Sequence, residues 1–188
     1  FETFPFPAGW ETSAALEEKV TRMEQGLMTI AFSSGMAAIS TTLFSLLRAG
    51  DHIASSSFLF GNTTSLFETF GRMGIEVSFV DATEAANVEA ALRPETRLVF
   101  VETIANPCTQ VSDLAGIGEL CRSRGIVYVV DNTITSPYLF RPRDVGASLV
   151  VKGAALASSL ARLDELGAGA AFVLGHHVVR HDLPVLLS

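Results

Sequence analysis

The sequence predicts a three-layer α/β domain, in which helices cover both faces of a mostly parallel sheet. Three observations support this fold. Short apolar runs alternate with amphipathic helical segments along the first 151 residues, the runs are apolar on both faces, and no segment repeats internally. Strands buried on both sides and separated by helices are typical of crossover units in parallel sheets.

Helices are predicted where apolar residues recur every three or four positions. Thr12 or Ser13 is the expected N-cap of the first helix, and Gly125 is expected at the C-terminal end of the fifth. The predicted helices are 16–27, a segment through Ile39 that ends near Gly50, 62–73, 87–92, 113–124, and an Ala-rich stripe over 156–163.

Strands are predicted where the apolar runs are short or alternate with polar residues. The predicted strands are 28–32, 52–56, 75–79, 98–101, 126–130 and 148–151, with a further candidate at 170–174. We therefore divide the chain into an N-terminal segment (1–15), a ligand-binding α/β domain (16–151) and a C-terminal segment (152–188) whose pattern is weak.

Composition excludes several classes of protein. Thirteen Lys and Arg stand against twenty Asp and Glu, and the formal charge of −7 disfavours a nucleic-acid partner. No apolar run reaches the roughly 18 residues of a membrane span. The start, residues 1–5, lacks the order of a signal peptide. We expect a soluble, cytoplasmic protein without disulfides, since two cysteines are too few for a disulfide scaffold.

Candidate ligand-binding residues follow the predicted strands, because open parallel sheets bind ligands at the carboxyl ends of their strands. The segments at these ends are 33–36, 58–63, 102–107 and 131–133. Ser33, Ser34 and Gly35 precede a helix, whose free N–H groups and positive dipole end favour an anion. Together the segments suggest a phosphorylated aromatic cofactor with a ring cation near Asp131 and a ring face near Phe60.

Each of these features also has an ordinary structural explanation. Ser34 is able to cap the helix that follows it, Asp131 is able to cap a turn, and Phe60 is able to pack in the core. Only their combination favours a cofactor site over these alternatives.

Four ordered motifs give the chain a resemblance to a known family. They are Ala31–Ala38 (AFSSGMAA), Phe58–Thr63 (FLFGNT), Val101–Pro107 (VETIANP) and Val129–Thr133 (VVDNT). They resemble the Cys/Met-metabolism enzymes that depend on pyridoxal 5′-phosphate (PLP), which include cystathionine γ-synthase, methionine γ-lyase and the O-acylhomoserine sulfhydrylases. The Phe-Gly-Asn-Thr variant is most similar to the sulfhydrylase branch.

The resemblance implies the large domain of a PLP-dependent transferase, similar to aspartate aminotransferase, and a cofactor role for seven residues. These residues are Ser34, Gly35, Met36, Phe60, Asn106, Asp131 and Thr133. The first three would bind the phosphate, and Phe60 would stack on the pyridine ring where relatives carry tyrosine. Asp131 would pair with the ring nitrogen, while Asn106 and Thr133 would support the edge that carries the ring hydroxyl.

The reaction implied by the resemblance is γ-replacement on an O-acylhomoserine by sulfide or a thiol, in homocysteine and methionine biosynthesis. Two alternatives stay open: elimination, as in methionine γ-lyase or the cystathionine lyases, and a non-catalytic relic of the same fold. Relatives are dimers or tetramers, so a homodimer or homotetramer is expected.

Two positions depart from the family pattern. The family's Ser-x-Thr-Lys motif supplies the lysine to which the cofactor is attached, and the matching position here is Leu156. Only Lys19 and Lys152 are present, and Lys152 lies a few residues too early. Gly9–Thr12 stands where relatives carry a Tyr-x-Arg phosphate-binding segment. Because the chain is about half the length of a family member, it represents either a degraded paralogue or a chain with segments missing; we favour missing segments.

Other polar clusters suggest no further site. His176, His177 and His181 are expected in a solvated loop, so no metal is predicted. Cys108 would lie near the cofactor, but nothing nearby would make it a nucleophile. Cys121 falls on the inward face of its helix and is predicted to be core.

Overall fold

The computed structural model of the protein describes residues 10–153 and 171–175, with side chains from residue 14 to residue 153. The strands in these ranges are β1 (Met28–Phe32), β2 (His52–Ser56), β3 (Glu76–Val80), β4 (Thr96–Glu102), β5 (Val127–Asp131), β6 (Leu149–Lys152) and β7 (Ala171–Gly175). The helices are α1 (Trp10–Glu24), α2 (Gly35–Leu46), α3 (Gly61–Arg72), α4 (Ala85–Ala91), α5 (Leu114–Arg124) and a 3₁₀ turn at Pro142–Val145.

The strands form one sheet in the order β1-β7-β6-β5-β4-β2-β3. Strands β2 to β6 pair in parallel, whereas β7 lies antiparallel between β1 and β6. The C-terminal segment thus contributes a strand to the sheet. The predicted mostly parallel sheet is confirmed, as is the candidate strand at 170–174.

Helices cover both faces of this sheet, as predicted, and each face has its own core. On one face, α1, α4 and α5 pack against residues such as Val130 and Val150. On the other, α2 and α3 pack against residues such as Val129 and Val151. Because side chains alternate along a strand, neighbouring residues of β5 and β6 belong to different layers. This alternation decides which polar residues at the strand ends face the same layer.

The prediction for the first helix was wrong at both ends. Helix α1 begins at Trp10, so Thr12 and Ser13 lie inside it rather than at its N-cap. It ends at Glu24 because Gln25 adopts a positive φ of 55°, which a continuing helix does not allow. Leu27, which fits the helical spacing, therefore lies beyond the helix and is 70% exposed. The predicted helix at 156–163 lies outside the described residues.

Helix α5 connects β4 to β5. A side-chain hydrogen bond defines where it begins, and the backbone conformation of one glycine defines where it ends. The Asp113 carboxylate accepts a hydrogen bond from the Gly116 N–H, and Gly125 ends the helix in the left-handed region, as predicted. In the middle, Gly118 lets the helix approach the backbone of Val145. A Cβ atom at Gly118 would lie 1.7 Å from the Val145 carbonyl oxygen.

We expect Gly118→Ala to lower the free energy of unfolding by about 2–3 kcal/mol, because the added methyl group forces backbone apart in a packed layer. Gly71→Ala is the matched control, since Gly71 is an exposed residue of α3 whose Cβ would meet nothing within 4 Å. There the same change should stabilise the helix by roughly 0.5–1 kcal/mol. Urea unfolding of both variants measures the difference, and equal effects would contradict the close approach.

Candidate cofactor site

A cavity of about 290 Å³ opens at the carboxyl ends of the parallel strands, between β4, β5 and the first turns of α2 and α3. The seven residues predicted to bind a cofactor all line it. The structure therefore brings them together around one space, while their role in cofactor binding stays a prediction. The other lining residues in the described part of the chain are Ile39, Thr63, Glu102, Ile104, Ile134 and Gly153.

One end of the cavity is the N-terminus of α2. Ser34 is the N-cap, and its hydroxyl oxygen accepts a hydrogen bond from the Ala37 N–H at 3.1 Å. The capping explanation for Ser34 is therefore correct, and it is compatible with a ligand because the cap uses the Ala37 N–H and leaves the N–H groups of Gly35 and Met36 available. That turn contains no acidic side chain. This end of the cavity suits an anion.

The cavity is also lined by Asp131, the last residue of β5. Its Oδ1 accepts hydrogen bonds from the Thr133 N–H at 2.9 Å and the Thr133 hydroxyl at 2.5 Å. The Thr133 hydroxyl oxygen in turn accepts from the Gly153 N–H at 2.8 Å. This chain of hydrogen bonds fixes the carboxylate. Its Oδ2 accepts no hydrogen bond from the described residues.

Asp81 forms the same local turn as Asp131, so a comparison of the two shows how the environment changes the pKa of the carboxyl group. The Asp81 Oδ1 accepts from the N–H and hydroxyl of Thr83, at 2.9 and 2.6 Å. These hydrogen bonds lower the pKa of the exposed Asp81, as expected for a stabilised carboxylate. At Asp131 burial outweighs the same bonds and raises the pKa. A cation at this end of the cavity would reverse that shift.

Phe60 and Asn106 flank the cavity on two loops that follow β2 and β4. Phe60 immediately precedes α3 and is 44% exposed, although the preceding Leu59 is buried. A large aromatic side chain left open on a cavity is available to stack on a flat ligand. The packing explanation for Phe60 is therefore wrong for its ring face.

Glu102 is the main residue of the site that sequence reasoning missed. It ends β4 directly beside Asp131 in the strand register, and its side chain is buried at 6% exposure. Its Oε1 accepts from the Phe60 N–H at 2.7 Å, and its Oε2 accepts from the Asn106 N–H at 3.3 Å. Burial, with a smaller contribution from Asp131, raises the pKa of Glu102 to about 7. Its place at a strand end was the available signal.

Lys152 lies on the other face of the sheet from this cavity. It follows Val151, which packs with α2 and α3, so its side chain turns towards α1, where its Nζ lies 2.8 Å from the Glu24 carboxylate. The Nζ also donates to the carbonyl oxygens of Asn132 and Thr135. Both side chains are buried, and burial raises the pKa of Glu24 and lowers that of Lys152 against their mutual attraction.

Lys19 and the two cysteines do not line the cavity either. Lys19 is exposed on α1. Cys121 is buried in the core, as predicted, and burial raises the pKa of its thiol to about 12. Cys108 is exposed on the turn after β4. Position 156 and the histidines near the C-terminus lie outside the described residues.

Residues 10–153 and 171–175 include no group of three or more His, Cys, Asp or Glu side chains placed to hold a metal ion. In the same ranges no helix is both long enough and apolar enough to cross a membrane.

The fold and the cavity together define an α/β domain with a cavity at the carboxyl edge of its sheet. The profile of the Cys/Met metabolism PLP-dependent enzymes matches residues 8–155. The chain belongs to this family, and its members depend on PLP.

Individual relatives catalyse different reactions. The L-methionine gamma-lyase of Fusobacterium nucleatum subsp. polymorphum is 40% identical over 145 residues, covering 76% of this chain and 37% of that protein. The O-acetyl-L-homoserine sulfhydrylase of Corynebacterium glutamicum is 40% identical over 142 residues, covering 74% and 32%. A solved O-acetylhomoserine sulfhydrylase of Wolinella succinogenes superimposes with a TM-score of 0.77 at 36% identity, covering 88% of this chain and 47% of that one.

The chain thus spans less than half the length of these relatives. Its cavity nevertheless fits the cofactor of the family. PLP carries a phosphate group and a ring nitrogen, and the cavity is lined by a helix N-terminus, which suits the phosphate, and by a desolvated carboxylate, which suits a protonated ring nitrogen.

We expect Lys152→Met to lower the free energy of unfolding by about 3–5 kcal/mol, since it leaves the buried Glu24 carboxyl without its cation. The double variant Glu24→Leu with Lys152→Met removes both charges and should recover most of that loss. PLP titration of the folded double variant should give the wild-type affinity, because Lys152 faces away from the cavity. Loss of PLP binding in that variant would place Lys152 in the site.

Proposed function

We propose that the protein is a PLP-dependent transferase that replaces the acyloxy group of an O-acylhomoserine with sulfide or a thiol. The observation that carries this proposal is the polarity of the cavity. The cavity is lined by a helix N-terminus with no acidic residue in its first turn and by Asp131, whose Oδ2 accepts no hydrogen bond from the described residues. The chain's family and its sulfhydrylase relatives support the same reaction.

In this proposal each lining residue has a defined task. The backbone N–H groups of Ser34, Gly35 and Met36 hold the cofactor phosphate at the start of α2. The Phe60 ring stacks on the face of the pyridine ring. The side chains of Asn106 and Thr133 hold the edge that bears the ring hydroxyl.

Asp131 has the central electrostatic task. PLP, when bound, supplies an electron-poor ring that accepts negative charge from the substrate α-carbon. Asp131 holds a proton on the ring nitrogen, because an ionised carboxylate in contact with a cation favours the charged form of both groups. The Thr133 and Gly153 hydrogen bonds orient the carboxylate for this task. Apolar neighbours such as Ile39 and Ile104 limit water and strengthen the interaction.

The phenylalanine at position 60 favours replacement of an acyloxy group. The reaction breaks the bond between the substrate γ-carbon and the acyl oxygen, forms a bond from hydrosulfide sulfur to that carbon, and releases a carboxylate. A carboxylate leaves without a proton, since its conjugate acid has a pKa of roughly 4, whereas a thiolate with a pKa of roughly 8.5 benefits from an acid. Phe60 carries no proton to donate, unlike the tyrosine of relatives.

Elimination is the second candidate reaction. It is favoured by the methionine gamma-lyases among the relatives, at 38–41% identity. Such a reaction would release 2-oxobutyrate from the substrate in place of homocysteine.

The third candidate is a non-catalytic relic of the fold. It is favoured by the placement of Lys152 on the other face of the sheet and of Lys19 on the exposed side of α1. The candidates differ in whether PLP becomes attached to a lysine of the intact protein.

We expect the intact protein, incubated with PLP, to show a visible absorption band that borohydride removes while fixing PLP on one lysine. That lysine should be one other than Lys19 and Lys152, because neither of these lines the cavity. With O-succinylhomoserine or O-acetylhomoserine, homocysteine should form only when sulfide is present. Absorbance, peptide mass and product assays measure these outcomes.

Other results would favour the alternatives. Release of 2-oxobutyrate at the same rate with and without sulfide favours elimination. A colourless protein that takes up no PLP favours the relic.

The cellular setting in this proposal is the cytoplasm, and the assembly is a homodimer or homotetramer. Both follow from the family resemblance together with the acidic composition. Sedimentation of the intact protein measures the assembly.

We expect Asp131→Asn to weaken PLP binding about 10–100-fold, because an amide cannot neutralise a ring cation as a carboxylate does. Asp81→Asn is the matched control, since Asp81 makes the same two hydrogen bonds to its threonine on the exposed surface. It should leave PLP binding unchanged. Fluorescence titration measures both affinities, and equal PLP affinities in the two variants would contradict the role given to Asp131.

A further inference from the structure

The strongest unassigned feature of the described residues is the buried carboxylate of Glu102. It stands at the edge of the cavity beside Asp131, with which it shares the strand register. No lysine or arginine of the described residues forms an ion pair with it, unlike Glu24 or Asp51. Burial of a carboxylate without a cationic partner lowers the stability of the folded protein. This cost indicates that Glu102 has a function at this position.

The contacts of Glu102 join two loops that are far apart in the chain. One oxygen accepts from the Phe60 N–H, 42 residues away, and the other accepts from the Asn106 N–H. The main chain of Glu102 is held separately, because its carbonyl oxygen accepts from the Ser112 hydroxyl at 3.0 Å. The side chain therefore acts as a bridge between the loop after β2 and the turn after β4.

These two loops carry the residues that would contact the cofactor ring. Phe60 offers its face, and Asn106 offers its side-chain amide. Neither residue belongs to a strand, so the sheet alone does not fix the distance between them. Preorganised sites depend on such supporting hydrogen bonds, because small shifts of the contacting groups weaken binding.

We propose that Glu102 is a positioning residue whose carboxylate holds Phe60 and Asn106 at a fixed separation around the cofactor ring. The proposal rests on the proposed function for the identity of the ligand. The bridge itself exists without any ligand, so it is testable on the protein alone.

The first measurement is amide hydrogen exchange in the intact protein without PLP. The Phe60 and Asn106 amides should be protected in the wild-type protein although both residues lie in loops. In Glu102→Gln at least one of them should exchange about ten-fold faster, because a carboxamide offers one acceptor oxygen where the carboxylate offers two. Ser112→Ala is the matched control: it removes a hydrogen bond from the same residue, leaves the carboxylate, and should preserve both protections.

The second measurement uses PLP. Glu102→Gln should bind PLP about ten-fold more weakly, and the circular dichroism induced in saturated PLP should change, because the ring is oriented differently. Glu102→Asp keeps the charge but is one methylene too short to reach both loops, so it should behave like Glu102→Gln. Ser112→Ala should leave the affinity and the induced spectrum unchanged.

Several results would overturn the proposal. Wild-type Phe60 and Asn106 amides that exchange as fast as exposed loop amides would do so, even if Glu102→Gln failed to fold. Unchanged amide protection in a folded Glu102→Gln would do so as well. A wild-type affinity in Glu102→Asp would show that charge alone matters. If the wild-type protein takes up no PLP, the proposed function fails, and the exchange data still decide whether the bridge exists.

Discussion

Two carboxylates meet at the edge of the sheet because β4 and β5 run parallel and end in register. Glu102 and Asp131 are therefore neighbours across the strands, and each is the last residue of a strand whose three preceding residues are buried. Their proximity disfavours two negative charges at once and makes this end of the cavity a place for a cation. The start of α2, which lines the same cavity, supplies the opposite polarity. The site depends on this polarity.

The sheet also separates charges that would otherwise compete. Lys152 ends β6 close to Asp131, yet its ammonium group belongs to the layer of α1 and pairs with Glu24 there. If Lys152 faced the other layer, it would neutralise Asp131 and remove the preference for a ligand cation. The alternation of side chains along the strand places the two groups on different faces of the sheet, and the attraction of Lys152 lowers the pKa of Asp131 less than burial raises it. The Lys152–Glu24 ion pair and the Asp131 carboxylate thus lie on opposite faces of two neighbouring strands.

Burial, more than local hydrogen bonding, sets the chemistry of the acidic residues. Asp81 and Asp131 form the same turn with a threonine two residues later, and their pKa values shift in opposite directions. The difference comes from the burial of Asp131, which Asp81 lacks. A ligand that brings a cation into the cavity gains a favourable electrostatic interaction with the Asp131 carboxylate. The site therefore favours a phosphorylated ring that carries a positive charge.

The sequence by itself determined the layered α/β class, the order of most helices and strands, and the seven lining residues, because these depend on local periodicity, turn residues and strand ends. Tertiary structure alone decided the antiparallel insertion of β7, the early start of α1, the sheet face of Lys152 and the bridge from Glu102 to Phe60. Periodicity shows that side chains alternate along a strand, but it does not show which helices pack against each face of the sheet. Contacts between residues 42 positions apart depend on how the whole sheet is assembled.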